Sequence, residues 1–553
     1  MIRQDELILD TWSDLDFKGR LKERTLRLAP DWVGDQRRRL EAYVLLESYK
    51  RNASKFFLNL KADEEDVRDD RRELGESEVI TSTIVAAILG TNVSVTCENS
   101  ELETWARGWA RKVKGVRKLF NAEDHAVSLG DAVFVLSWDE RKQRVDLKVY
   151  NPGFYFPVLD GASDDEFPER VHIAWEFVRD NGEGFEETWI RRRTWDITSG
   201  TCRYTDGEWR VDDLELSSDY DTLPVGRGIY AVNSQGQELR DVDLKIDFIP
   251  VVHQPNTSPD DDEHFGRSSL ANVLQIIDEI QATDTDLAKG ASIAGFPPLA
   301  SDGATMAQLD ETGKRVETYG PGTVFTGHLS TIDTSKSLDA LIKYLDKLLG
   351  RLAVNSHLPE AVIGRVKPSE VPSGLAFALG FTPLISMLYR MRLIRDEKRP
   401  LIFKFAYRLS AAAGVEGLPP EPTDDEDWPT FSPGPYLPSD VEATINIIQK
   451  AFLVKPRVLS LETAVKMLVL AGLPIADAEE EVKRIIAEDF EGAQTLASAT
   501  TDPREAFKYL SRNVPDDLPF PPSEQALDED LESGVTDPSR KAVPGPEPKP
   551  VVS

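Results

Sequence analysis

Two hydrophobic periods divide the chain. Over Gln36 to Arg51, Leu40, Tyr43 and Val44, with Glu47, recur three and four residues apart, which predicts a helix with a partly apolar stripe. Helices are also predicted over Glu76 to Leu89, Glu101 to Val113 and Val116 to Ser128. From Ala132 the pattern changes to short β-branched and aromatic runs separated by turn residues: "AVFVLSWD", "VDLKVYNPGFYFPVL", "RVHIAWEFVRD", "EETWIRRRTWDI" and "TCRYTDGEWRV". These predict a mainly antiparallel β region that closes with "DFIPVVHQPN". The fold class expected is α+β.

Past the acidic turn "TSPDDDEHFG", a helix is predicted from Arg267 or Ser268, capped by Ser268 or Ser269 and ending near Gly290. Leu270, Val273, Leu274, Ile277 and Ile280 line one face, and Gln275, Glu279 and Asp286 the other. A Gly- and Pro-rich insert, Gly295 to Ser335, precedes a second helix from Lys336 to Val354. There Leu338, Leu341, Leu345, Leu348 and Leu352 alternate at spacings of three and four. Lys336, Lys343, Lys347 and Arg351 share the opposite side, within about 80° of arc at 3.6 residues per turn. A charged loop bounded by Pro368 and Pro372 follows, then an apolar helix from Ser373 to Leu409, expected to be kinked or interrupted near Pro383 and Pro400. A proline-rich return leads to three helices, Asp440 to Gln449, Ser460 to Ala471 and Ala476 to Phe490. From about Asn513 the composition is that of a disordered segment.

Composition narrows the function classes. With 553 residues, 40% of them apolar, the chain is long enough for several modules. Lys and Arg number 65 against 96 Asp and Glu, a net charge of −31 that argues against a tight nucleic-acid binder but permits one that touches DNA without gripping it. Two cysteines, Cys97 and Cys202, form no disulfide framework, and the opening MIRQDELILD lacks the apolar core of a signal peptide. The most apolar stretch, Gly374 to Tyr389, is broken by Pro383 and falls short of the ~20 residues a membrane span needs, so no membrane contact is predicted.

Catalytic signatures are missing. There is no phosphate loop, HExxH or EF-hand pattern and no Cys/His cluster, which argues against an energy-coupled motor, and neither an enzyme activity, a metal nor a cofactor is predicted. "GRGIYA" follows turn residues in a β region and reads as a loop rather than a dinucleotide fingerprint. The run Asp260 to His264 reads as solvated charge, and the scattered histidines, among them His125, His253 and His357, assign no general base. The basic ridge has two readings. It either pairs with carboxylates such as Glu279 and Asp286 on a neighbouring helix, the default for an amphipathic helix, or it faces a polyanion.

Several motifs from the β region onward resemble the portal proteins of long-tailed, siphovirus-type bacteriophages. In "IPVVHQPN" and "FGRSSLANVLQIIDEI", Pro250, Asn256, Gly266, Ser268 and Asp278 stand where that family places Pro, Asn, Gly, Ser and Asp. In "VPSGLAFALGFTPL", Ser373 and Gly374 match its Ser-Gly helix start; "PYLPSDVEATINIIQKA" and "LSLETAVKML" match two later helices. "QATDTDLA" departs from the pattern, where relatives carry Asn and Ser.

The resemblance implies a wing over 1–266, stem helix 1 over 267–292, a clip over 293–335, and stem helix 2 with its connection over 336–364. It places a tunnel loop at 365–373, the long helix and return to the wing at 374–438, crown helices at 439–495 and a C-terminal segment at 496–553. The tunnel-loop residues would be Arg365, Val366, Lys367, Pro368, Ser369, Glu370, Val371 and Pro372; Lys336, Lys343, Lys347 and Arg351 are the basic candidates for the channel lining. The implied assembly is a homo-oligomeric ring, usually of twelve, at one capsid vertex of a virion assembled in the host cytoplasm. Double-stranded DNA passes through it without sequence preference, and the implied partners are the terminase large subunit, the head-tail connector or adaptor, and the major capsid and scaffolding proteins. A capsid-associated scaffold or minor head protein without a channel, and an enzyme with an unrecognised composite site, are the alternatives.

Overall fold

The computed structural model describes residues 36–54, 72–159, 167–180, 182, 184–211, 228–259, 264–295, 299–302, 328–331, 335–360, 362, 380–434, 441–453, 459–470, 473, 475 and 478–500. The chain divides into two units, Met1–Leu437 and Pro438–Ser553.

The first unit mixes helices with antiparallel sheets. Helix α1 (Gln36–Lys50) and α2 (Glu76–Leu89) precede a short strand, β1 (Ser94–Thr96). Asn99 then caps α3 (Ser100–Val113) by accepting from the Glu101 and Leu102 amides at 3.0 and 3.3 Å, a side chain taking up donors that have no intrahelical partner. Lys114, in the left-handed conformation, joins α3 to α4 (Gly115–Leu129), and Gly130 at φ 109° ends α4. Such a φ favours glycine because it carries no Cβ.

Strands β2 (Asp131–Asp139) and β3 (Arg144–Tyr150), a one-turn helix at Pro152–Phe154, then β4 (Tyr155–Val158), β5 (Arg170–Asp180), β6 (Glu186–Asp196), β7 (Arg203–Arg210), β8 (Ile229–Tyr230), β9 (Val242–Asp243) and β10 (Val251–Pro255) follow. One sheet has the order β10-β2-β3. A larger one runs β4-β5-β6-β7-β8 with β9 also on β7. All these pairings are antiparallel. In β5–β6, Ile173 lies opposite Arg193 and Trp175 opposite Arg191, so a buried row meets a row of arginines.

Helix α5 (Leu274–Gly295), the paired strands β11 (Leu299–Asp302) and β12 (His328–Thr331), and α6 (Ser335–Asn355) form the next stretch. The turn expected to open a helix at Ser268 is a separate turn: the Ser268 hydroxyl receives the Leu270 amide at 3.0 Å, and α5 starts only at Leu274. At the other end α5 continues past Gly290 instead of stopping there. A Cβ on Gly290 would lie 2.7 Å from Leu338 Cδ2, so the residue serves a close helix approach rather than a helix stop.

Helix α7 (Thr382–Ala412) crosses the core, and β13 (Thr430–Ser432) returns to pair with β1. The interruption expected near Pro383 is present: Phe381, in a turn, separates the helical Gly380 from α7, and Pro383 sits in the first turn of α7, where no intrahelical amide donor is required; Pro400 lies inside the helix. Phe403 of α7, Phe431 of β13, Phe134 of β2 and Phe154 are all buried.

The second unit contributes α8 (Val441–Leu453), α9 (Leu461–Leu470) and α10 (Ala478–Thr500). Ser460 caps α9 through the Thr463 amide at 3.1 Å. No described helix is long and apolar enough to cross a membrane.

Candidate functional site

Four of the motif residues converge on one joint between α4, β2, β10 and the turn before α5. Gly130 follows α4 directly, and a Cβ there would meet the Gly266 carbonyl at 2.9 Å. A Cβ on Gly266 would meet the Gly130 carbonyl at 2.5 Å and the Asn256 amide at 2.6 Å. Only two glycines allow the backbones to approach so closely. Across this contact the Asn256 amide donates to the Gly130 carbonyl at 2.8 Å, its Nδ2 to the Arg267 carbonyl at 3.0 Å, and Ser268 Oγ to the Ser128 carbonyl at 2.6 Å. The Pro250 carbonyl accepts from the Leu136 amide at 2.9 Å, holding the approach to β10 against β2. Further along, Asp278 on α5 accepts from the Tyr49 hydroxyl of α1 at 2.6 Å.

Two buried carboxylates anchor the joint. Asp131, fully buried, accepts from Arg39, from the Tyr43 hydroxyl at 2.6 Å, from His253 Nε2 at 2.9 Å and from the Gly266 amide at 2.8 Å. Burial pushes its carboxyl up, but the His253 bond and the Arg39 charge overcome this and hold it below the ordinary value. Glu123 accepts from Arg395 Nε at 2.8 Å, Arg399 Nη2 at 3.1 Å and Gln254 Nε2 at 2.9 Å. Burial raises its carboxyl too, and the two guanidinium charges reverse the shift. Arg395 continues to Asn256, donating to its Oδ1 at 2.9 Å and its carbonyl at 3.2 Å, while Arg399 reaches the Phe431 carbonyl at 3.0 Å.

Beside the joint, His253 and His264 stack with centroids 4.3 Å apart, and Tyr155 donates to or accepts from His264 Nε2 at 3.0 Å. Burial and the neighbouring His253 push His264 down to about 3, so it is neutral at ordinary pH. Nothing in the spacing of the scattered histidines announced this pair. Among the described residues no group of three or more His, Cys, Asp or Glu is placed to hold a metal ion.

The basic ridge lies on the helical hairpin. Helices α5 and α6 pack through their apolar faces, with Leu348 and Leu352 buried and Leu338 against Gly290. Glu279 of α5 is met by the Tyr344 hydroxyl at 3.2 Å, not by a lysine. Lys343, Lys347 and Arg351 are exposed and, among the described residues, form no ion pair with α5. The pairing of Lys343 and Lys347 with Glu279 or Asp286 is therefore not present within this chain. Lys336 lies in α6, but its side chain is outside the described residues, as are Arg365, Val366, Lys367, Pro368, Ser369, Glu370, Val371, Pro372, Ser373 and Gly374.

The sequence reading missed Arg39, Tyr43, Glu123, Asp131, Arg395 and Arg399. A signal existed in "MRLIRDEKRP": arginines four apart on a helix that must enter the core require a buried carboxylate partner.

No model of a protein family matches the chain, and no curated protein does. Among solved structures, one described as the neck of an empty GTA particle computed with C6 symmetry matches at 13% identity and TM-score 0.38, over 80% of this chain and 95% of the other. Another, the neck of a native GTA particle computed with C12 symmetry, matches at 12% identity and TM-score 0.31, over 72% and 91%. Both scores are too low to assign a fold.

Proposed function

We propose that the chain is a portal subunit, one of a ring of copies that form a channel for double-stranded DNA at a capsid vertex, with no catalytic role. The observation that carries this reading is the ridge: Lys343, Lys347 and Arg351 stand exposed, and without an ion-pair partner among the described residues, on the outer side of a two-helix hairpin in a chain of net charge −31. Successive members of the ridge are four residues apart, so it extends about 12 Å along the helix at 1.5 Å per residue.

The motif residues support the same reading. Pro250, Asn256, Gly266 and Ser268 are not surface decoration but the parts that fasten the base of the hairpin to the α/β body. The hairpin also leaves apolar side chains uncovered. Ile342 is 52% exposed, Val354 73% and Ile293 51%, which is surface that a neighbouring copy's helices would bury.

In a ring, the ridges would line the bore. A lysine–phosphate contact at 4 Å contributes about 1 kcal/mol in water and ~4 kcal/mol near a protein surface. Sparse basic rings in otherwise acidic walls let a duplex slide, and phosphate contacts carry no base readout. In this reading 267–292 and 336–364 are the stem, 293–335 the clip, 365–373 the tunnel loop and 439–495 the crown; terminase and the head-tail connector dock in turn at the clip. Negative-stain imaging of the purified chain tests the reading. Rings with a central hole are expected, and a monomer that stays monomeric at high concentration and with capsid components present rejects it.

A further inference from the structure

A second basic feature lies away from the hairpin. Between the first turn of α4, strand β3 and the face of β5–β7 is an open cleft of about 910 Å³. Its volume is within the ~300–1,000 Å³ of ligand sites.

Three arginines on its sheet wall share two carboxylates. Arg191 donates to Asp206 at 3.0 and 2.9 Å and Arg193 at 3.0 Å, while Arg179 pairs with Glu208 at 2.6 Å and Arg191 also reaches Glu208 at 3.3 Å. The guanidiniums are fixed against aromatic rings. Arg191 and Arg193 lie 5.9 and 5.6 Å from the Trp175 centroid, and Arg179 lies 4.7 Å from that of Trp189. Stacking holds such a fork in place and so lowers what is lost on binding.

The opposite wall adds Lys114, Arg117, Lys118 and Lys148, none of them within ion-pair distance of a carboxylate among the described residues. The Lys118 ammonium is taken up by the Leu147 carbonyl. Burial, with Arg193 and Arg191 close by, pushes the Lys148 ammonium below its usual value, and burial does the same to Lys118. The cleft therefore concentrates a surplus of five positive charges in a chain that is strongly negative overall. Like charges held this close are relieved by an anion.

We propose that the cleft binds linked phosphate groups, with Lys114, Arg117, Lys118 and Lys148 as the unpaired charges and Arg191 and Arg193 as the fixed forks. Linked phosphates deliver several charges at short, constant spacing. An acidic peptide brings one charge per flexible side chain and must order each stem to do so. The phosphates come either from a nucleic-acid strand or from a free oligophosphate. The proposal does not depend on the conduit reading, because it concerns one purified chain and a different surface.

The test uses the full chain, a labelled single-stranded oligonucleotide followed by fluorescence anisotropy, and sodium tripolyphosphate followed by calorimetry. Arg117→Gln with Lys148→Gln is expected to keep the thermal unfolding midpoint and to weaken binding at least about tenfold. For the oligonucleotide, the slope of log affinity against log salt should fall by about 1.4, at ~0.7 per charge removed. Binding of the oligonucleotide supports the proposal and names a strand as the source, whereas binding of tripolyphosphate alone supports it and names a free oligophosphate. Absence of both, equal binding by the Arg117/Lys148 variant, or displacement by polyglutamate as readily as by tripolyphosphate overturns it.

Discussion

Arg395 and Asn256 form a two-point contact inside the protein, with one guanidinium nitrogen on the amide oxygen at 2.9 Å and another on the backbone carbonyl at 3.2 Å, while Nε remains on Glu123. Arg395→Met strips Asn256 of its donor and leaves Glu123 with a single arginine. Loss of about 3 to 5 kcal/mol is expected, as for other broken buried pairs. Arg395→Lys should recover little, because an ammonium has no planar fork. Denaturant unfolding of both variants checks this; a loss near zero for either removes Arg395 from the joint.

The contact between Gly130 and Gly266 predicts a sharp size limit. Gly266→Ala places a methyl carbon 2.5 Å from one backbone oxygen and 2.6 Å from a backbone nitrogen, neither of which can rotate away. A destabilisation of roughly 2 kcal/mol or more is expected, in the range of overpacked cores. Gly108→Ala, where an added Cβ meets nothing within 4 Å, is the control and should be neutral or slightly stabilising.

His264 sets a pH dependence. Its folded pKa is depressed from 6.5 to about 3, so the neutral form is favoured in the fold and its contribution is fully present above 6.5. As pH falls from 6.5 toward 3, the unfolded chain takes up a proton that the folded one refuses, and about 1.4 kcal/mol of stability is lost per unit. His264→Phe should flatten this slope in thermal melts between pH 6.5 and 4. An unchanged slope would mean that the stack with His253 is not intact.

On the proposed portal reading, Lys343→Glu with Lys347→Glu should leave ring assembly unchanged and reduce DNA packaging or retention. Electron microscopy of the rings and the DNA content of filled heads give the two readouts. Failure of the rings themselves would make these lysines contacts between copies rather than channel groups.

Much of the architecture was readable from period alone. The switch at Ala132 from helical spacing to alternation marks where α4 ends and β2 begins, because Gly130 and Asp131 form the boundary. The failures have local causes. Ser268 looks like a helix cap, and it does cap a turn, but its hydroxyl is also held by the Ser128 carbonyl, and α5 starts later. Gly290 looks like a stop until Leu338, 48 positions later in the chain, is seen to need the missing Cβ. The joint itself was invisible for the same reason. Glu123, Asp131, Asn256 and Arg395 are far apart in sequence, and a charged residue about to be buried beside its counter-ion looks the same as one left in water. The basic cleft eluded notice because each of its cations sits in an ordinary strand or helix, and only the sheet register gathers them.

The glycine pinch has a mechanical consequence. At Gly130 and Gly266 main chain rests on main chain, with no side chain between them to act as a cushion. A shift of the turn before α5 would therefore be handed directly to the corner between α4 and β2, backbone against backbone.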